Sequence, residues 1–256
     1  MNSTSLQALL PSLDPLFIAS ICGIFVFAGI VKGFLGIGLP AAAMGLLTLI
    51  ISPTEAISLL WLPILFTNIF QFGRAKNKRE IMATYKWFAV ALFFSIFVTS
   101  LFIKNYPTAL LTVAIGVAMV IFSFNLLFGL SLPVGPGRGW QLGVGVVSGV
   151  LGGLSSIWSP PVAMYLMARN TSKDMFIGTT GFLFLAGCLP LGAGLVISGL
   201  ITWPVIVKSL LGLLMTLTGF RIGEIMREHV SQDRFRRIVL IAFLIMGGRL
   251  ITTGLL

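Results

Sequence analysis

Charge is scarce in this chain of 256 residues: lysine and arginine number 17, aspartate and glutamate 7, and histidine occurs once. A small soluble domain needs a polar exterior, and with 57% hydrophobic residues against 9% charged this chain has none to offer. A water-soluble domain of any size is thereby excluded. The single histidine, His229, and the two cysteines, Cys22 and Cys188, fall in no grouping with metal-ligand spacing. The cysteines lie far apart inside apolar segments, which argues for core residues and against a disulfide framework. The few acids, among them Glu55, Glu80, Asp174, Glu224 and Asp233, stand mostly near segment ends, where a carboxylate complements a helix start.

What the chain does have is long unbroken apolar runs. A bilayer core about 30 Å thick takes roughly 20 such residues per helix. Ten segments can be marked, at 15–31, 34–51, 54–72, 81–103 and 108–130, then at 140–154, 159–168, 174–199, 203–222 and 235–256. Barrel strands would alternate apolar and polar residues, and runs such as 88–103 and 238–246 do not. The expected fold is therefore all-α, a polytopic membrane protein. No basic residue precedes the first segment, so it does not read as a cleaved signal peptide. The net charge of +10 would suggest nucleic acid in a soluble protein. Here the basic residues sit in short loops, where they set orientation, and no nucleic-acid partner is expected.

The chain reads as two similar halves, 1–135 and 136–256, joined by the Pro/Gly-rich stretch SLPVGPGRG at 131–139. Laying 28–40 (AGIVKGFLGIGLP) over 148–160 (SGVLGGLSSIWSP) matches Gly29 with Gly149, Gly33 with Gly153 and Pro40 with Pro160. Glu55 and Asp174 then correspond at the start of the third segments. Corresponding loops carry opposite charge patterns. The loop 74–80 (RAKNKRE) is strongly basic and its counterpart at 198–203 has no charge, while Arg221, Arg227, Arg234, Arg236 and Arg237 in the second half face only Lys104 in the first. If basic loops face the cytoplasm, the halves are inserted in opposite directions and both termini lie outside. Inverted repeats of about five segments each are a device of secondary transporters.

Glycine and proline concentrate where the first two segments of each half meet. The first half has Gly29, Gly33, Gly36 and Gly38 before Pro40; the second has Gly149, Gly152 and Gly153, then Ser155, Ser156, Trp158, Ser159, Pro160 and Pro161. Neither stretch suits an uninterrupted helix. Small residues four apart also let helices pack closely. A broken helix in a membrane faces protein or a cavity, and its free N–H groups with the helix dipole suit an anion. Lys32 has two readings: an orienting charge at the cytoplasmic end of a full span, or a cation near the midplane of a re-entrant hairpin. Asn68, Gln71, Asn125, Thr179, Thr180, Lys208 and Arg249 also interrupt apolar stretches. Lys208 can snorkel to the outer surface; Arg249 is deeper, suited to a helix–helix hydrogen bond or to substrate.

The stretches GIFVFAGIVKGFLGIGLPAAAM, GVVSGVLGGLSSIWSPPVAM and GLLMTLTGFRIGEIMREHVSQDRFRRIVL resemble the toluene sulfonate uptake permease family, also called the TauE/SafE sulfite exporter family, over nearly the whole chain. The resemblance implies transport of a small sulfur anion, sulfite or an organosulfonate such as toluene sulfonate or sulfoacetate, in a bacterial inner membrane, with no enzyme activity and no cofactor. Together with the residue reading it selects Lys32, Gly33, Gly36, Gly38, Asn68, Gln71, Gly153, Ser155, Ser156, Trp158, Ser159 and Arg249 as the expected substrate site. A coupling proton or sodium ion fits a secondary transporter. The competing classes are an anion channel, an accessory membrane subunit, and an intramembrane enzyme using Lys32 with a serine.

Overall fold

The computed structural model describes residues 15–129, 134–135 and 137–256. The amino-terminal stretch 1–14 and most of the 130–136 junction, including part of the expected linker, lie outside the described residues. The described chain is helical, without strands, in the order α1 (Pro15–Leu35), α2 (Leu39–Leu47), α3 (Pro53–Gly73), α4 (Lys78–Leu101), α5 (Thr108–Phe128), α6 (Arg138–Ser155), α7 (Ser159–Ala168), α8 (Lys173–Ile197), α9 (Trp203–His229) and α10 (Gln232–Leu255). A short 3₁₀ turn, Ile103–Asn105, follows α4. Seven of these, α1, α3, α4, α5, α8, α9 and α10, are long and apolar enough to cross a membrane. Large apolar side chains cover their outer faces, with Phe94 61%, Leu214 59% and Ile245 69% exposed, a surface stable only against lipid. The chain is a multi-pass membrane protein.

Glycines decide how the helices pair. On α1, a side chain at Gly29 would strike the Thr216 carbonyl of α9, and one at Gly33 the Phe220 carbonyl. From the other side, Gly212, Gly219 and Gly223 of α9 receive Phe25, Val26 and Ile30. Residue numbers rise together, so α1 and α9 run parallel with backbones almost touching. The pair α6–α4 repeats the arrangement: Gly145 meets Phe88 and Ala91, Gly149 meets Leu92 and Ser95, and Gly153 meets Thr99. The first helix of each half thus packs on the fourth helix of the other. Lipid tails are as apolar as leucine, so close van der Waals approach is what holds such helices together.

Corresponding helices of the two halves run antiparallel. On α3 and α8, Gly181 packs on Phe72 while Gly192 packs on Trp61. On α5 and α10, Gly116 packs on Gly247 while Gly254 packs on Ala109 and Val113. Like elements pointing in opposite directions make the halves inverted. The basic loops meet at one end, where Arg74 pairs with Glu224 at 2.9 Å. At the opposite end Lys208 pairs with Glu55 at 3.5 Å, as expected for a lysine reaching toward the surface.

The second and seventh segments are not full spans. α3 runs parallel to α9, with Leu59 beside Ser209 and Arg74 beside Glu224, and hence parallel to α1. The chain must therefore recross between 35 and 53 with a nine-residue helix, about 14 Å long at 1.5 Å per residue, plus its flanks. In the second half α7 has ten residues and plays the same part. The apolar pattern starts the second segment at residue 34; the left-handed glycines Gly36 and Gly38, with φ of 82° and 97°, delay it to Leu39. In α3, Pro63 removes the N–H that would bond the Leu59 carbonyl, and the Ser209 hydroxyl of α9 donates to that carbonyl instead at 2.7 Å.

Two measurements test this arrangement. With Cys22 and Cys188 replaced by serine, single cysteines at Lys76 and Arg237 should react with an impermeant maleimide from the same side of sealed vesicles. Gly29→Leu or Gly149→Leu should force its seam apart, costing about 1–3 kcal/mol or more, seen as a lower Tm in detergent than for Gly23→Leu, where a β-carbon would meet no other helix within 4 Å among the described residues.

Candidate functional site

The two breaks have the same construction. In the first, the Gly36 N–H donates to the Lys32 carbonyl at 2.7 Å and Gly36 adopts a left-handed conformation. In the second, 120 residues on, the Ser156 N–H donates to the Gly152 carbonyl at 2.7 Å and Ser156 has φ 58°. The Ser155 hydroxyl supports this turn, donating to the Leu151 carbonyl at 2.6 Å and accepting from the Ile157 N–H at 3.0 Å. Each break leads into a short buried helix with proline at its second position, Pro40 in α2 and Pro160 in α7. The prolines alter the expectation of free backbone donors. Pro40, Pro160 and Pro161 lack an N–H, so the first turns of α2 and α7 offer fewer backbone donors than an ordinary helix start.

Chemistry at the breaks comes instead from side chains. Lys32 is 3% exposed. Its amine donates to Asn68 Oδ1 at 2.6 Å and to Thr67 Oγ1 at 3.0 Å, both on α3. Thr67 is free to accept because its own hydroxyl donates back to the Pro63 carbonyl at 2.6 Å. Among the described residues no carboxylate lies within ion-pairing distance of Lys32, since the three ion pairs there involve Arg74, Arg221 and Lys208. Asn68 lies ~8 Å along α3 from the helix's central residue, Pro63. The structure thus combines the two readings of Lys32. It stands in the last turn of a full-length helix, yet its amine is buried inside the span, with two neutral acceptors and a third N–H that neither of them takes.

The position equivalent to Lys32 is Gly152, and the difference has a direct consequence. A side chain at Gly152 would run into the Trp158 ring, so the indole lies where the lysine stands in the other half. Trp158 is 1% exposed and packs edge-on against Phe184, ring centroids 6.0 Å apart. The buried Trp158 Nε1, Ser156 Oγ and Ser159 Oγ have no hydrogen-bond partner among the described residues. Both breaks reach the same turn of α8: Gly187 faces Trp158, while Asn68 donates to the Cys188 thiol at 4.0 Å.

Gln71 extends the polar row from Asn68 toward the basic end. Its amide donates to the Ile177 carbonyl at 2.9 Å and to the Thr180 hydroxyl at 3.0 Å, tying α3 to α8. Gln71 also lines a surface cavity of about 280 Å³ with Arg74, Lys76, Asn77 and Asp174. The structure therefore joins Lys32, Asn68 and Gln71 in one polar row along α3, while Trp158, in the same break as Ser155, Ser156 and Ser159, meets α8 at Gly187, next to the Cys188 that Asn68 reaches. Gly36 borders open space, and Gly38 packs on Val31 and Phe122. Gly33 and Gly153 belong to the helix seams, where their missing side chains admit Phe220 and Thr99. Arg249 is not brought to this region: it lies on the exposed face of α10, six residues before the helix end at Leu255. Sequence reasoning does not reach Thr67 or Cys188. Thr67 carries a signal, a hydroxyl beside Asn68 one turn past Pro63, whereas nothing distinguishes Cys188 from a core cysteine.

A multi-pass membrane protein with inverted halves and polar broken helices has the architecture of a transporter. The chain belongs to the TauE/SafE sulfite exporter family, whose model matches residues 21–250, most of the chain. Its members are membrane transporters of sulfite and sulfonate type. Neither the curated proteins nor the solved structures give a match to this chain.

Asn68→Leu should leave the Lys32 amine short of an acceptor and destabilise the protein by about 1–3 kcal/mol. Lys32→Met should be neutral or stabilising, because a buried charge gives way to an apolar side chain of similar length. Thermal unfolding of both variants in one detergent checks the opposite signs.

Proposed function

We propose that this protein is a secondary transporter carrying a small sulfur oxyanion, sulfite or an organosulfonate, across the bacterial inner membrane by alternating access. The observation that carries this reading is Lys32. A cation buried in a bilayer without a carboxylate partner is costly, and an anionic substrate is the counter-charge that would relieve the cost. A sulfonate group has one negative charge spread over three oxygens. The Lys32 ammonium and the Asn68 amide supply donors for it from the first half, and Trp158 Nε1, Ser156 Oγ and Ser159 Oγ supply donors from the second. Trp158 and Phe184 provide apolar surface for an organic substituent. Glycines Gly33, Gly36, Gly38 and Gly153 keep the backbone narrow and bent at these points.

In this reading the two repeats, 1–135 and 136–256, rock about the α3–α8 contact, and the antiparallel pairing of like helices supplies the mirror relation that alternation needs. The basic end faces the cytoplasm and both termini face the opposite side. No catalytic role belongs to any residue. Coupling to a proton or sodium ion is part of the same reading and is measured by the ion dependence of flux.

Counterflow of labelled benzenesulfonate and sulfite in proteoliposomes is the direct test. The wild-type protein should accumulate label against excess unlabelled anion, and Lys32→Met should lose at least about 90% of that flux, the tenfold that 1.4 kcal/mol of binding represents. Absence of flux for every sulfur anion tried would remove the substrate assignment and leave the fold intact.

A further inference from the structure

The basic cluster after α9 does more than mark one side of the membrane. Two of its arginines bond helix carbonyls near the first break, Arg227 partly buried and Arg236 exposed at a cavity's rim. Arg227 donates a guanidinium N–H to the Gly33 carbonyl, and Arg236 donates to the Leu126 carbonyl near the end of α5 at 2.6 Å. Each guanidinium is therefore pinned by a helix carbonyl with most of its five N–H groups still to be used. Arg227 Nε is buried and has no hydrogen-bond partner among the described residues. Both arginines line a cavity of about 190 Å³ together with Phe34, Leu35, Phe176 and Asp233. Two guanidinium groups against one carboxylate leave this cavity net positive, and Phe34 and Phe176 give it apolar walls. The glycine that follows Leu35, Gly36, borders open space.

We propose that this cavity is a second oxyanion site, distinct from the Lys32 region, in which Arg227 and Arg236 hold a sulfonate or phosphate monoester group at the basic mouth of the protein. The planar guanidinium fork matches the paired oxygens of such a group, and prior fixation of both forks lowers the ordering cost of binding. Arg227 is bonded to the residue directly after Lys32, so the site stands at the threshold of the central one. A soluble organosulfonate and the phosphate of an anionic lipid share this chemistry, and basic pockets between helices at a membrane face suit lipid headgroups as well.

The choice of a sulfonate as probe rests on the transport reading; the site itself does not need Lys32. The test uses the full chain carrying Lys32→Met, reconstituted in phosphatidylcholine nanodiscs and titrated with benzenesulfonate. One anion per chain should still bind. Arg236→Gln on that background should weaken binding on the order of tenfold, as for loss of a charged fork. Asp233→Asn should tighten it, a gain that misfolding cannot imitate. Repeating the titration with phosphatidylglycerol in the disc separates the sources: competition identifies a lipid phosphate as occupant, and unchanged affinity identifies the soluble anion. If Lys32→Met abolishes all binding while the wild type binds one anion, the second site does not exist and the central site stands. The second site is equally overturned if neither Arg236→Gln nor Asp233→Asn changes the affinity. A wild-type protein that moves no sulfonate while Lys32→Met still binds it would reverse the outcome, keeping the mouth site and removing the transport reading.

Discussion

Close backbone contact along two glycine seams, α1 with α9 and α6 with α4, is the constraint from which the remaining geometry follows. In lipid there is no hydrophobic gain in bringing one apolar helix to another, so association rests on shape. Gly29, Gly33, Gly149 and Gly153 let carbonyls and β-carbons of the partner helix fill the space where a side chain would be. Because the seams join helix one of each half to helix four of the other, they interlock the halves. They also fix the depth at which each break occurs. Gly33 and Gly153 are the last seam residues before the chain turns, so each short helix begins inside the protein, where its bent backbone is surrounded by protein atoms and not lipid.

The two breaks have one backbone plan and different chemistry. At both, the amide of a left-handed residue reaches back four residues. The side chain four positions before that residue then decides the character of the site. Lysine at position 32 takes acceptors on α3 and brings a positive charge into the membrane interior. Glycine at position 152 leaves its place to the indole of Trp158 and brings an aromatic face with unpaired polar atoms around it. Neighbouring residues of one turn of α8 touch both, Gly187 meeting Trp158 and Cys188 accepting from Asn68, so the two chemistries meet at the same stretch of that helix.

Much of this fold is legible in the sequence, because what a bilayer requires is written in composition. Apolar runs locate the helices, and the boundaries of α7 and the start of α5 fall at the residues expected. Glycine and proline locate both breaks, and the charge pattern foretells the opposite directions of the halves. What cannot be read is pairing. Nothing local in α1 says that its glycines meet α9, which lies at the far end of the chain. Side-chain partners follow the same rule. Lys32 and Asn68 are both visible as polar residues in apolar runs, but their hydrogen bond depends on α1 and α3 lying side by side. Arg249 looks interior by its position in the run, and helix rotation places it outward instead. The bonds of Arg227 and Arg236 to helix carbonyls are hidden for a similar reason, since a basic run after a span ordinarily serves to orient it.

The crossing of the seams between halves also bears on how such a chain is made. Synthesis proceeds from the amino terminus, so α1 enters the bilayer long before α9 has been translated. Until then its groove of small residues has only lipid, or some transient occupant, against it. α4 likewise waits for α6, though for a shorter time. Neither half can complete its own packing, and the molecule reaches its final form only when the ninth helix arrives to close what the first one left open.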